Sequence, residues 1–410
     1  MLFALVVIRM GELWPPIAAA KPVVTLTSAI IVLHLMRSNW AAWRRAFGNT
    51  QVRLTILYGL IVIALVPTSI WRGRSVGIAM VMPWGMALVL LASLTAPSLP
   101  VLDRVVRWFS ALTAITAILL VLQGNVVEGS RVTSSGSYDS NDLGGLMALA
   151  LPLAIGGVLR GPLLARLVAA ASALSILTVL MQTGSRGGFL ALVAGTLVLL
   201  LALSPTRLLL AFVIGLAVVP LGWRLAPSVM RERAASLLSL EEDYNTTSNS
   251  GRIYLWKRGL VFAARNPLTG VGPGTFEAQL GRDFEEVGSR GAWHTAHNTI
   301  VQALAELGMI GGGLLIYLLG RSVVLAAAFW PRRSPVRRPE FAAALVGYLV
   351  AAMFLSHAYS YLLFGAVALT AMMEGVLRVR SPETVPVGHV RQRRTRSRLP
   401  ALAAVRSSRA

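Results

Sequence analysis

Long runs of apolar residues, interrupted at short intervals by Arg, Pro, Gly and Trp, set the character of this chain. They lie near 17–36, 54–70, 76–96, 108–122, 142–159, 167–182, 188–203, 208–225, 299–320, 341–357 and 362–378. A bilayer core offers the backbone no hydrogen-bond partners, so runs of this length are predicted to be helices that satisfy their own peptide groups. Several fall short of the roughly 20 residues that a perpendicular crossing needs, which implies tilt or extension into the flanks. Met1–Met10 is a shorter apolar run that contains Arg9 and has no small-residue cleavage site. It reads as half of an uncleaved helical hairpin turning at Trp14-Pro15-Pro16, and it brings the expected number of crossings to 12.

Composition agrees with this pattern. Of the 410 residues 55% are hydrophobic and 13% charged, and the mean hydropathy is +0.68, too apolar for a soluble chain of this length. The expected class is an all-α polytopic membrane protein.

Charge then predicts orientation, because short cytoplasmic loops collect Lys and Arg. An alternating assignment puts 37–53, 97–107, 160–166, 204–207, 321–340 and the tail from 378 on one side, with 23 of the 38 Lys and Arg residues. The loops at 71–75, 123–141, 183–187 and 358–361 hold four. The first set is therefore assigned to the cytoplasm, with both termini inside. That asymmetry accounts for the net charge of +21. The Arg-rich tail, 379–410, reads as an anchor to anionic membrane lipids rather than a nucleic-acid-binding arm. With no Cys in the chain, cysteine usage says nothing about redox compartment.

Four regions follow: N-terminal membrane helices over 1–225, a polar outer segment over 226–298, C-terminal membrane helices over 299–378, and the tail. The outer segment has eight Lys or Arg against eight Asp or Glu, unlike the basic loops. A structureless loop of that length is improbable, so it is expected to hold helices of its own. One is readable, with Ser248-Asn249-Ser250 as N-cap, Ile253, Trp256, Leu260 and Ala264 at helical spacing, and Asn266-Pro267 as the stop. Arg252 in its first turn faces the helix dipole unfavourably, a conflict that a bound anion would remove. Gly270-Val271-Gly272-Pro273-Gly274 lacks the ending of a phosphate loop and the spacing of a dinucleotide fingerprint, and reads as a rigid turn.

The candidate chemistry gathers at the outer ends of helices. His294-Thr295-Ala296-His297-Asn298-Thr299 sits where the polar segment turns into an apolar helix, and histidine is the side chain best suited to move a proton near neutral pH. Asn298, Gln302 and Glu306 form a polar stripe along that helix, facing a cavity or the bundle interior. Glu306 points about half a turn away from His297 and reads as structural, paired with a cation or capping group. Arg186 lies in the tight turn Thr183-Gly184-Ser185-Arg186-Gly187-Gly188, where it either snorkels or reaches a ligand past flanking glycines. Asp139-Ser140-Asn141-Asp142 opens another helix and is well explained as an N-cap. No metal-ligand spacing is present in the sequence.

Ser185-Arg186-Gly187-Gly188, Ser250-Gly251-Arg252-Ile253-Tyr254-Leu255-Trp256, Asn266 through Phe276, His297-Asn298 and Glu306-Leu307-Gly308 together resemble the O-antigen ligase and polymerase superfamily, over about 140–380. The resemblance implies a GT-C-like glycosyltransferase of the inner membrane. It would move a glycan from undecaprenyl diphosphate to an acceptor on the periplasmic side, using neither nucleotide sugar, metal nor other cofactor. For a ligase the acceptor is the lipid A-core oligosaccharide and the product is lipopolysaccharide. The family's essential arginines map onto Arg186 and Arg252 and its essential histidine onto His297, with His294, Asn298, Asn141 and Gln302 as secondary candidates. Ligase is the leading reading, ahead of repeat-unit polymerase and protein O-oligosaccharyltransferase. A lipid or polysaccharide transporter is the reading from another class, and it would place its polar groups near the bilayer midplane rather than at one face.

Overall fold

A computed structural model describes residues 7–8, 19, 21–95, 98–123, 126–127, 131–133, 138–226, 228–235, 248, 251–286, 293–331, 334 and 336–380. Apart from Val7 and Ile8, the N-terminal hairpin expected around Met1–Met10 and Trp14-Pro15-Pro16 lies outside these residues, as does the tail beyond Arg380. The first helices are α1 (Pro22–Arg37), α2 (Trp40–Gly48), α3 (Thr50–Ala64), α4 (Arg72–Thr95) and α5 (Leu99–Leu122). A two-residue antiparallel pair follows, β1 (Val126–Val127) with β2 (Arg131–Val132). The chain continues through α6 (Ser140–Val158), α7 (Leu163–Gln182), α8 (Arg186–Leu201), α9 (Pro205–Leu225) and α10 (Ser228–Ala235). Two helices of the polar segment, α11 (Arg252–Arg265) and α12 (Phe276–Glu286), precede α13 (Thr299–Ala327), α14 (Pro339–Ala352) and α15 (Tyr361–Arg380). The molecule is thus all-helical but for that one strand pair among the described residues.

Among those residues seven helices are long and apolar enough to cross a membrane, and three shorter apolar helices accompany them. This is a polytopic membrane protein. The stretch 37–53, expected as a loop, contains α2, whose Trp40 and Phe47 are exposed; a short helix with exposed aromatics suits the membrane interface.

Close helix packing rests on small side chains, which let backbones approach where no hydrophobic effect separates helix from lipid. A methyl group added at Gly195 of α8 would lie 3.2 Å from the Ala343 carbonyl of α14. One added at Gly347 of α14 would lie 3.2 Å from the Ala191 carbonyl of α8 and 3.3 Å from that of Ala148 on α6. The three helices α6, α8 and α14 form the tight centre of the bundle.

The end assigned to the cytoplasm is tied by ion pairs. Asp103 on α5 receives both arms of Arg338, at 2.6 and 3.0 Å, and Glu340 pairs with Arg160. Glu374 of α15 pairs with Arg321 at 3.1 Å and Arg378 at 2.6 Å, and it also accepts from the backbone of Thr50 and Gln51 at the start of α3. Part of the basic excess on this side therefore neutralises carboxylates inside the fold.

Candidate functional site

The opposite end of the bundle is built where α13 begins. Asn298 caps that helix, its Oδ1 accepting from Ile300 N and Val301 N at 3.0 Å each. The next two turns hold the connection between α14 and α15. Thr299 Oγ1 donates to Leu355 O at 2.8 Å and accepts from His357 N at 3.1 Å, Gln302 Oε1 accepts from Ala358 N at 3.1 Å, and Glu306 Oε2 accepts from Tyr359 OH at 2.7 Å. These bonds pin residues 355–359, which with Phe354 before them form a hub.

His297 meets that hub directly. Its backbone nitrogen donates to Ser356 Oγ at 2.9 Å and its carbonyl accepts from Trp256 Nε1 at 3.3 Å. Its φ is +44°, in the left-handed region that a non-glycine residue occupies only when its surroundings impose it. Burial and the adjacent Arg252 guanidinium, with a smaller push from His294, hold the imidazole below its usual pKa, while Asp139 and Asp142 pull the other way. The result is an imidazole neutral at physiological pH, the form that accepts a proton.

Arg186 and Arg252 both stand at N1 of a helix. Ser185 caps α8, accepting from Gly188 N at 3.1 Å, and Gly251 occupies the N-cap of α11. Phe354 of the hub packs against both helix starts. A methyl group on Gly187 would meet Phe354 Cβ at 2.9 Å, and the Arg252 guanidinium sits 5.6 Å from the centre of the Phe354 ring. The N-terminus of α6 joins them: Asp139 Oδ1 accepts from Asn141 N and Asp142 N at 2.7 Å each, and a methyl on Gly144 would be 3.0 Å from Ser185 Cβ. The N-termini of α6, α8, α11 and α13 thus converge, each presenting partial positive charge, and two of them carry a guanidinium. Such a place suits a polyanion.

The secondary candidates divide. Asn298 is occupied as a cap, and Gln302 as a hub acceptor that also lines a cavity. Asn141 Oδ1 accepts from Arg131 at 3.0 Å, and Arg131 in turn donates to Thr183 O at 2.8 Å, fastening β2 to the Arg186 turn. His294 is half-buried and close enough to His297 to disfavour its charge.

A cavity of about 260 Å³ adjoins His297, bordered by its neighbours Thr295 and Ala296, by Ser356, and by Arg74, Gln302 and Tyr359. Glu306, also on its wall, caps the glycine-rich turn: its carboxylate accepts from Gly274 N at 2.8 Å and Phe276 N at 3.1 Å. The turn is clamped further where α13 unwinds. Val271 N donates to Ala305 O at 3.0 Å and Gly272 N to Glu306 O at 2.9 Å, while Gly308 adopts φ +63° and Met309 N reaches Pro267 O at 2.7 Å. A Cβ at Gly308 would lie 2.4 Å from the Leu268 carbonyl group, so only glycine fits.

Two details differ from expectation. Gly251, not the Ser248–Ser250 stretch, is the N-cap of α11; Asn249 and Ser250 lie outside the described residues. The buried face of α11 is Leu255, Gly259 and Phe262, whereas Ile253 and Leu260 are exposed, because Gly259 is where α13 approaches, with Val301 against it.

Three features were not singled out from sequence. His357 is buried, its Nε2 lies 2.8 Å from Asp142 Oδ1 and its Nδ1 lies 3.2 Å from Tyr348 OH. Arg131 and the Phe354–Tyr359 hub are the others. Asp142 and His357 are 215 residues apart, and no spacing motif spans that distance.

Residues 170–316 match the family described as O-antigen ligase, a stretch that contains Arg186, Arg252, His297 and Glu306. The chain is also 42% identical over 89 residues to the exopolysaccharide production protein ExoQ of Rhizobium meliloti (strain 1021), which covers 20% of this chain and 18% of that protein. Over the matched stretch, which holds the ordered motifs, the chain is similar to the O-antigen ligase family, and the shorter segment shared with ExoQ points the same way.

Proposed function

We propose that the chain is a glycosyltransferase that takes a glycan from undecaprenyl diphosphate and attaches it to the lipid A-core oligosaccharide at the periplasmic face of the inner membrane. The observation that carries this reading is that Arg186 and Arg252 each open a helix whose start meets Phe354, through Gly187 beside Arg186 and through the Arg252 guanidinium itself, with His297 beside Arg252.

The diphosphate leaving group gains charge as the glycosidic bond breaks, and two guanidiniums with converging helix dipoles stabilise that charge. His297 takes the proton of the attacking sugar hydroxyl. The hydroxyl oxygen forms the new bond to the anomeric carbon, the diphosphate departs with the old bond's electron pair, and configuration inverts. The cavity at Thr295 and Gln302 receives the acceptor sugar, and the apolar bundle receives the polyprenyl chain. In this orientation 226–298 and Arg186 are periplasmic, both termini are cytoplasmic, and the chain crosses 12 times.

The similarity to a protein of exopolysaccharide production favours a second reading, a polymerase whose acceptor is another lipid-linked repeat unit. Reconstitution with one defined lipid-linked glycan, supplied in turn with lipid A-core, a second repeat unit and a protein acceptor, tests both. A new glycosidic bond to lipid A-core supports the ligase, a lengthened lipid-linked chain supports the polymerase, and movement of unchanged lipid without a new bond refutes transfer and indicates a transporter.

A further inference from the structure

At the end of the bundle away from His297, a cleft of about 420 Å³ opens between α5 and α7. Arg104, Arg107 and Trp108 stand at its mouth, all exposed; Leu164 and Val168 form its apolar wall, and Ser110 lies on its floor. We propose that this cleft binds one anionic glycerophospholipid. The inference is independent of the reaction assigned to the other end.

Three observations support it. First, among the described residues no carboxylate pairs with Arg104 or Arg107, and the nearest in sequence, Asp103, is held by both arms of Arg338. The mouth thus offers two guanidiniums to a phosphate and no free carboxylate to an ammonium headgroup, which favours an anionic lipid over a zwitterionic one.

Second, Ser110 is 4% exposed, yet its hydroxyl has no hydrogen-bond partner among the described residues. Its neighbours on α5 differ, for Thr113 and Thr116 each donate to the carbonyl one turn back, at 2.8 and 2.9 Å, and Ser172 on the facing helix does the same at 2.8 Å. A buried hydroxyl left unsatisfied on a cavity floor calls for an acceptor from a ligand.

Third, the depths match. Ser110 lies roughly 4.5 Å further along the helix axis than Arg107. A glycerophospholipid presents its ester carbonyls about that far below its phosphate, and its acyl chains deeper still. A polyprenyl phosphate has no acceptor below its phosphate and leaves Ser110 unanswered. Trp108, 46% exposed, suits the headgroup boundary.

The test uses the full chain, purified in detergent and offered phosphatidylglycerol, phosphatidylcholine or undecaprenyl phosphate, with bound lipid counted by native mass spectrometry. One phosphatidylglycerol per chain is expected to be retained. The double variant Arg104→Ala/Arg107→Ala should retain it about 10- to 30-fold less well. Arg207→Ala, which removes an exposed arginine at the same end, should retain it fully. Ala111→Trp keeps both arginines but fills the cleft and should also lose the lipid, which covers the case of a double variant that folds poorly. Equal retention by wild type and Ala111→Trp, equal retention of phosphatidylcholine, or displacement by undecaprenyl phosphate would each overturn the proposal.

Discussion

The backbone nitrogen of His297 donates to the hydroxyl of Ser356 at 2.9 Å, joining residues 59 positions apart and holding a histidine at φ +44°. Without that bond the left-handed conformation loses one of its restraints. Ser356→Ala should therefore lower turnover about fivefold, the equivalent of about 1 kcal/mol, with little change in donor binding. Single-turnover kinetics beside donor titration would check this, and an unchanged turnover would show that Ser356 does not position the histidine.

The arginine assignment gives a sharper expectation. Lysine keeps the charge of Arg186 or Arg252 but loses the planar fork, so either Arg→Lys variant should lose activity by about tenfold to a thousandfold, or about 1.4–4 kcal/mol. Treatment with EDTA should change nothing. Full activity in Arg252→Lys, or loss with EDTA that magnesium restores, would place the charge stabilisation elsewhere.

For His297 the sign of the pH dependence follows from its neighbours. A base acts as neutral imidazole, so activity falls as pH drops through its pKa, and burial plus Arg252 set that limb below 6.5. Asp139 and Asp142 raise the value and His294 lowers it. Asp142→Asn should move the acid limb of kcat/KM lower still, and Arg252→Gln should move it up in whatever activity remains. His297→Ala should abolish transfer yet still bind donor, whereas His294→Ala should keep substantial activity. A limb that ignores both charge changes would mean another group is titrating.

Glu306→Ala removes the acceptor shared by Gly274 N, Phe276 N and Tyr359 OH, and should cost at least about 2 kcal/mol through buried groups left unpaired. Gly308→Ala should be worse, since its methyl meets the Leu268 carbonyl group at 2.4 Å on top of the positive φ. Thermal unfolding of the purified variants reads both, and a wild-type melting temperature in Gly308→Ala would contradict the packing described.

Because the chain has no cysteine, single cysteines report topology cleanly. Lys257→Cys on α11 should react with an impermeant maleimide before the inner membrane is breached, and Arg207→Cys only afterwards. The reverse order would turn the whole assignment over.

Hydropathy made the helices legible, because a peptide backbone in lipid has few alternatives to a helix. The reading of Glu306 as a capping group rested on helical phase alone, and it meets two backbone donors in the structure. The glycine-rich turn was legible as a turn for what it lacks. Hidden from sequence were pairings made by folding distant segments together: Asp142 with His357, Arg131 with Thr183, and the hub of 354–359 with α13. Which face of α11 is covered is not legible, because Ile253, Leu260 and Leu255 are equally apolar, and only the approach of α13 at Gly259 decides it.

Where α13 unwinds at Gly308, its freed carbonyls accept from the turn at Val271 and Gly272, and Ala305 packs into the same apolar cluster as Leu255, Phe262 and Phe276. The apolar cluster of α11 and α12 therefore extends onto a membrane helix through Ala305. Residues 251–286 are thereby fastened to α13 as well as to one another, so the seating of α11 and α12 beside the candidate site depends on α13 being in place.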